Sequence, residues 1–108
     1  MEKRESARVP VELPVSFSGE GIAGGGLVSR LSAHGCTMVS DDLLLPGTTL
    51  ALHIQLPAQS TPLKVDLAEV RWAEGQECGL EFVRLPLQEK QRLQRFLDAL
   101  QRRKGSGT

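Results

Sequence analysis

The sequence predicts an all-β domain with one C-terminal helix, arranged as a six-stranded antiparallel β-barrel. Three observations carry this. Apolar and polar residues alternate in short runs between residues 11 and 82, turn-forming residues separate those runs, and the period lengthens to that of a helix only after Pro86. About six strands with no helices between them exclude a doubly wound parallel sheet, which needs crossover helices. A small antiparallel barrel with a helix packed against it is the economical solution.

Each element follows from its own pattern. Val11, Leu13, Val15 and Phe17 alternate with Glu12, Pro14 and Ser16, the period of a half-buried strand. Pro14 cannot donate to a ladder, which places this strand at an edge or beside a bulge. Gly19 to Gly26 reads as a loop by composition. Strands follow around 27 to 32 and 36 to 40, with Ala33-His34-Gly35 short enough to be a hairpin turn. A connection from Asp41 through Leu43, Leu44 and Leu45 ends at the turn dipeptide Pro46-Gly47, and Leu50, Leu52, Ile54 and Leu56 then define another strand. Leu63, Val65 and Leu67 keep one phase whereas Ala68, Val70 and Trp72 keep the other, so a β-bulge or bend falls near Leu67. The phase makes Trp72 a core or barrel-cap residue, with a stacking platform as the other role open to it. Gly75 supplies a turn, and Cys78, Leu80 and Phe82 continue the alternation. Leu93, Phe96, Leu97 and Leu100 fall at i, i+3, i+4 and i+7 of a helix over 86–104 that Pro86 opens and Gly105 stops. The domain plan is an arm over 1–9, a barrel over 10–84, that helix, and a tail over 105–108. Four apolar positions on one stripe can cover either the barrel or a partner chain, so a homodimer stays open.

A chain of 108 residues has room for one core. Its 13 basic and 13 acidic side chains cancel, which argues against gripping a nucleic acid polymer or an anionic membrane through an overall field. No run approaches the roughly 20 apolar residues of a membrane span, and Met1-Glu2-Lys3-Arg4 leads into no signal-peptide core, so a cytoplasmic location is expected. Cys36 and Cys78 lack the paired spacing of a zinc site and read as reduced thiols in strands; a bridge between them would need neighbouring strands. His34 and His53 have no partners at metal-ligand spacing, and no metal is expected. Gly19, Gly21 and Gly24 spell G-x-G-x-x-G, but Gly25 and Gly26 lead into β-patterned sequence instead of a helix N-terminus, so the match lacks the setting that binds a dinucleotide. No nucleophile elbow or cysteine–histidine pairing is evident, and no catalytic residue or cofactor is assigned.

The more specific signals are Arg4-Glu5-Ser6-Ala7-Arg8 before the first strand and Arg30-Leu31-Ser32-Ala33-His34-Gly35 around the first short turn. Together they resemble the R-x-x-x-R and [D/N]-x-S-x-x-G motifs of PilZ domains. Val70-Arg71-Trp72 and Gly79-Leu80-Glu81-Phe82 resemble that family's V-R-W and G-x-x-F signatures, and the likeness extends over about residues 3 to 101. It implies a bacterial signalling module that binds cyclic di-GMP through Arg4, Arg8, Arg30, Ser32 and Gly35 and acts on a downstream protein partner, without catalysis.

The chemistry of arginine suits that ligand. A guanidinium fork meets O6 and N7 of guanine in a bidentate way, binds phosphate oxygens and stacks on aromatic faces. On the resemblance, Ser32 hydrogen-bonds the ligand and Gly35 gives a tight turn or close backbone approach. His34, in the same motif, reads as an exposed turn residue. Arg30 departs from the pattern, because it stands where the family carries Asp or Asn and has five donors and no acceptor. Leaving guanine donors unpaired costs about 1–3 kcal/mol, or very roughly ten- to a hundredfold in affinity. Two outcomes follow: Arg30 turns to phosphate or the Hoogsteen edge, or the domain has lost nucleotide binding and serves as a protein-interaction or dimerisation adaptor.

Overall fold

A computed structural model describes residues 8–106, with side chains described through residue 102. The strands are β1 (Val9–Gly19), β2 (Ile22–Leu31), β3 (Gly35–Val39), β4 (Thr49–Ile54), β5 (Leu63–Glu74) and β6 (Glu77–Arg84), followed by the helix α1 (Leu87–Ser106). They close into an antiparallel barrel in the order β1-β2-β3-β6-β5-β4. The expected fold class is therefore the observed one. Inward residues of every strand meet in one core, in which Val28, Leu31, Met38, Leu52, Ile54, Leu63, Val65 and Leu80 are fully buried.

The bulge expected near Leu67 is present. Against β4 the register steps from Leu50↔Ala68 to Leu52↔Val65, and against β6 it shifts again between Leu67 and Ala68. Pro14 also finds a tolerated place. Its carbonyl accepts from Gln55 N (2.9 Å), just past the end of β4, so the amide proton it lacks faces the side where strand pairing has stopped.

Two expectations are corrected. The glycine run from 19 to 26 is not a loop: only Glu20-Gly21 turns, and Gly24, Gly25 and Gly26 lie within β2. Close packing explains the composition, since a Cβ at Gly24 would stand 2.8 Å from the Phe17 ring and 2.3 Å from an Asp42 carboxylate oxygen, and one at Gly26 would stand 2.3 Å from the Val39 carbonyl oxygen. Trp72 is not in the core. A second irregularity sets Val70 opposite Leu80 but Trp72 opposite Gly79, so two steps on β5 match one on β6 and the indole changes face.

Helix α1 begins where Pro86 O accepts from Lys90 N (2.9 Å) and runs through Gly105 to Ser106, past the expected stop. Leu93 and Leu97 are buried against the barrel, and Phe96 is partly buried beside them. The apolar stripe thus covers the chain's own core, each buried leucine contributing about 1.5–3 kcal/mol. Arg92 fastens the helix to the β4–β5 connection by donating to Thr61 O (2.7 Å), Pro62 O (3.1 Å) and Gln59 Oε1 (2.7 Å), while Glu89 Oε1 accepts from Lys64 N (2.7 Å). Among the described residues, no helix is long and apolar enough to cross a membrane.

Candidate functional site

Arg8 immediately precedes β1, and the Val9↔Leu31 pairing brings it beside the β2–β3 turn. Its side chain crosses the outer face of the barrel. Nη1 donates to Cys36 O (3.0 Å) and Thr37 Oγ1 (3.2 Å) on β3, and Nη2 donates to Leu80 O (3.2 Å) on β6. The guanidinium therefore spans two neighbouring strands, satisfying two main-chain carbonyls as it does so. Gly35 lies beneath it, opposite Glu81, and the absence of a side chain there leaves the passage open.

Ser32 is buried, and its hydroxyl works inside the turn, donating to Gly35 O (3.3 Å) and accepting from His34 N (3.2 Å). Ser32 N also donates to Gly35 O (2.9 Å), which closes the hairpin. His34 is exposed at the tip, as expected, and its carbonyl accepts from Phe82 N (2.8 Å).

Cross-strand pairing sets out the rest of the surface. Pro10 pairs with Arg30, Arg30 with Thr37, Thr37 with Gly79, and Gly79 with Trp72, giving one outward-facing row across five strands. Arg30 is exposed in that row, next to the Thr37 hydroxyl that Arg8 engages. The Trp72 indole, 39% exposed, packs flat enough on Gly79 that a Cβ there would stand 2.1 Å from Nε1. Arg71 is turned aside by carboxylates: its Nε donates to Glu81 Oε1 (2.6 Å), and Nη1 lies 3.7 Å from Glu69.

Of the residues singled out from the sequence, Arg8, Arg30 and Gly35 share this face, Ser32 shapes the turn that bounds it, and Arg4 lies outside the described residues. Thr37 and Trp72 complete the row. Thr37 had no local signal, because a threonine in a strand is ordinary and only the closed topology brings it to Arg8. Cys36 and Cys78 are free thiols facing the core on the neighbouring strands β3 and β6, offset by two residues in register. Burial pushes the Cys36 thiol up from 9.0 to about 12, with nearby Arg8 opposing that shift, and burial raises Cys78 as well. No cluster of three or more potential metal ligands occurs among the described residues.

A family model, that of the PilZ domain, matches residues 2–99. The chain belongs to the PilZ domain family. Solved structures agree on the fold. This PilZ domain superposes on a Bacillus subtilis inhibitor of motility with a TM-score of 0.72 at 23% identity, covering 97% of this chain and 53% of that one. It superposes on the PilZ domain of CeSA from a cellulose-synthesizing bacterium with a TM-score of 0.68 at 20% identity, covering 89% and 99%. A Xanthomonas campestris pathogenic protein, a tetrameric PilZ domain self-assembled through a helical bundle, gives a TM-score of 0.59 at 27% identity, covering 78% and 50%. The chain spans about half the length of the first and third of these proteins. No curated protein sequence matches it.

Proposed function

We propose that this PilZ domain is a non-enzymatic receptor module for cyclic di-GMP, bound on the outer face around Arg8 and read by a downstream protein. The observation that carries the reading is the placement of Arg8. Its guanidinium is held on the sheet by hydrogen bonds to β3 and β6, beside the exposed Arg30 and over the bare backbone of Gly35. A preset cation loses little freedom on binding a phosphate or a guanine edge. The Trp72 indole, in the same row, offers an aromatic surface to a base.

In this reading Arg4 approaches from the segment before Arg8 and contacts the same ligand. Gly35 admits the nucleotide close to the main chain, and Ser32 supports the site by fixing the turn while keeping acceptor capacity on its hydroxyl. Arg30 meets phosphate or the Hoogsteen edge of guanine, because a guanidinium supplies donors only.

Calorimetric titration of the parent chain with cyclic di-GMP tests the reading. Binding is expected, with Arg4→Ala and Arg8→Ala each lowering affinity by about tenfold or more, as the loss of a charge-assisted pair requires. Unchanged affinity in the double variant rejects the site. No heat from the parent chain, together with binding restored by Arg30→Asp, rejects the receptor reading in favour of an adaptor that has lost its nucleotide.

A further inference from the structure

Although the chain is neutral, with 13 basic and 13 acidic side chains, the segments that form one end of the barrel carry no lysine or arginine. That end is made by the β1–β2 turn, the connection from β3 to β4 and the β5–β6 turn, here residues 18–22, 39–49 and 73–77. These segments contain five carboxylates, Glu20, Asp41, Asp42, Glu74 and Glu77, and no basic residue. Within the acidic rim two large apolar side chains point outward. Leu43 is 77% and Leu45 60% exposed, while Leu44 between them is buried in the core.

The frame around them is held. Gln76 Nε2 donates to Asp41 Oδ1 (2.8 Å), Ser40 N donates to Gln76 O (2.9 Å), and Asp42 N donates to Ser40 Oγ (3.1 Å), tying the connection to the β5–β6 turn. Asp42, Leu43, Ala73 and Glu77 line one shallow notch between the two segments. A held loop presenting apolar side chains gives up little entropy when covered.

We infer that this end of the barrel is a protein-docking surface for a basic, amphipathic segment of another protein, whose apolar side chains cover Leu43 and Leu45 while its lysines or arginines meet the carboxylate rim. The charges choose among occupants. Nucleic acid and anionic membrane are repelled by five carboxylates that share these segments with no basic residue. Two copies of the chain meeting through this same patch would set carboxylates against carboxylates. A basic segment instead gains complementary charge around a desolvated apolar centre. The surface is distinct from the nucleotide face and does not depend on it, although β3 and β6 reach from Gly35 and Glu81 at one end to Val39 and Glu77 at the other.

The test uses the full chain, isotope-labelled for amide shifts, and three synthetic peptides of about 14 residues, roughly four helical turns. One carries leucines on one face flanked by lysines, a second replaces its lysines by glutamates, and a third replaces its leucines by serines. The Leu/Lys peptide is expected to shift the amides of Asp41 to Leu45 and Glu74 to Glu77. Its affinity is expected to fall about tenfold or more in Leu43→Ser/Leu45→Ser and, independently, in Glu74→Gln/Glu77→Gln, with the other two peptides weaker by a similar factor. These positions are exposed, and an unchanged melting temperature verifies that each variant folds. The inference is overturned by shifts confined to another face, by equal binding of the Leu/Glu peptide, or by affinity indifferent to both variants. Self-association of the chain that Leu43→Ser/Leu45→Ser abolishes also overturns it, since the occupant would then be a second copy.

Discussion

The guanidinium of Arg8 lies across Gly35, such that a methyl group at position 35 would stand 2.6 Å from Nη2 and 2.2 Å from the Leu80 carbonyl oxygen. Gly35→Ala is therefore expected to destabilise the ligand-free domain by about 1–3 kcal/mol, the usual cost of overpacking. Arg8→Ala loses a guanidinium hydrogen-bonded to both strands and is expected to cost a similar amount, about 1–3 kcal/mol. Arg8→Lys should recover only part of it, since an ammonium does not reproduce the planar fork. Urea unfolding without ligand measures all three, and unchanged midpoints would show that the contact carries no stability.

Trp72 is the single tryptophan and therefore a clean fluorescent reporter of the outer face. Gly79→Ala is expected to lift the indole off the sheet, because the added Cβ would stand 2.1 Å from Nε1 and 2.5 Å from Cε2. A red-shifted emission maximum in the folded variant is the expected signal. An emission spectrum identical to the parent's would contradict the packing.

The thiols predict an alkaline limb of stability. Cys36 keeps its proton in the folded state up to about pH 12, whereas the unfolded chain releases it near 9.0, so the folded state binds more protons between those values. Stability is fully present below the unfolded value and falls as pH rises through that window, with a limiting slope of about 1.4 kcal/mol per pH unit for one proton. Cys78 acts in the same direction. Cys36→Ala is expected to flatten the limb in denaturant titrations from about pH 8 to 11.

Arg92 ties α1 to the barrel through carbonyls of Thr61 and Pro62, so its removal should loosen the helix and not the sheet. Arg92→Ala is expected to raise hydrogen exchange across Leu93 to Leu100 while the slowest strand amides stay protected. The helix cost is about 1–3 kcal/mol, as for hydrogen bonds from a charged, partly buried group. Uniform loss of protection would mean that helix and barrel unfold as one unit.

Local periodicity made most of this fold readable. The phase reversal at Leu67 exposed a real bulge, and the i, i+3, i+4, i+7 stripe of Leu93 to Leu100 identified the helix that covers the barrel. Composition misled at Gly24 to Gly26, where glycine marks close approach by Phe17, Val39 and Asp42 and not a loop. Phase misled at Trp72, because the second irregularity follows Val70 after only a few residues and leaves no run long enough to reveal itself. In the site, the arginine and glycine motifs marked Arg8, Arg30 and Gly35, which the fold then gathers. The partners of Arg8 were beyond reach: Leu80 lies 72 residues away, and a main-chain carbonyl carries no signature of its own.

The closed order of strands limits how another protein can engage this domain. With β1 joined to β4, every strand has two neighbours, and main-chain pairing with a visiting peptide is confined to short stretches such as the start of β1, where its ladder with β4 has ended. Recognition then runs mainly through side chains on the wall or at the ends of the cylinder, where a few substitutions can redirect it without touching the scaffold. The same closure shortens the ordinary template for runaway strand stacking, which lowers the aggregation risk of surface leucines that serve binding.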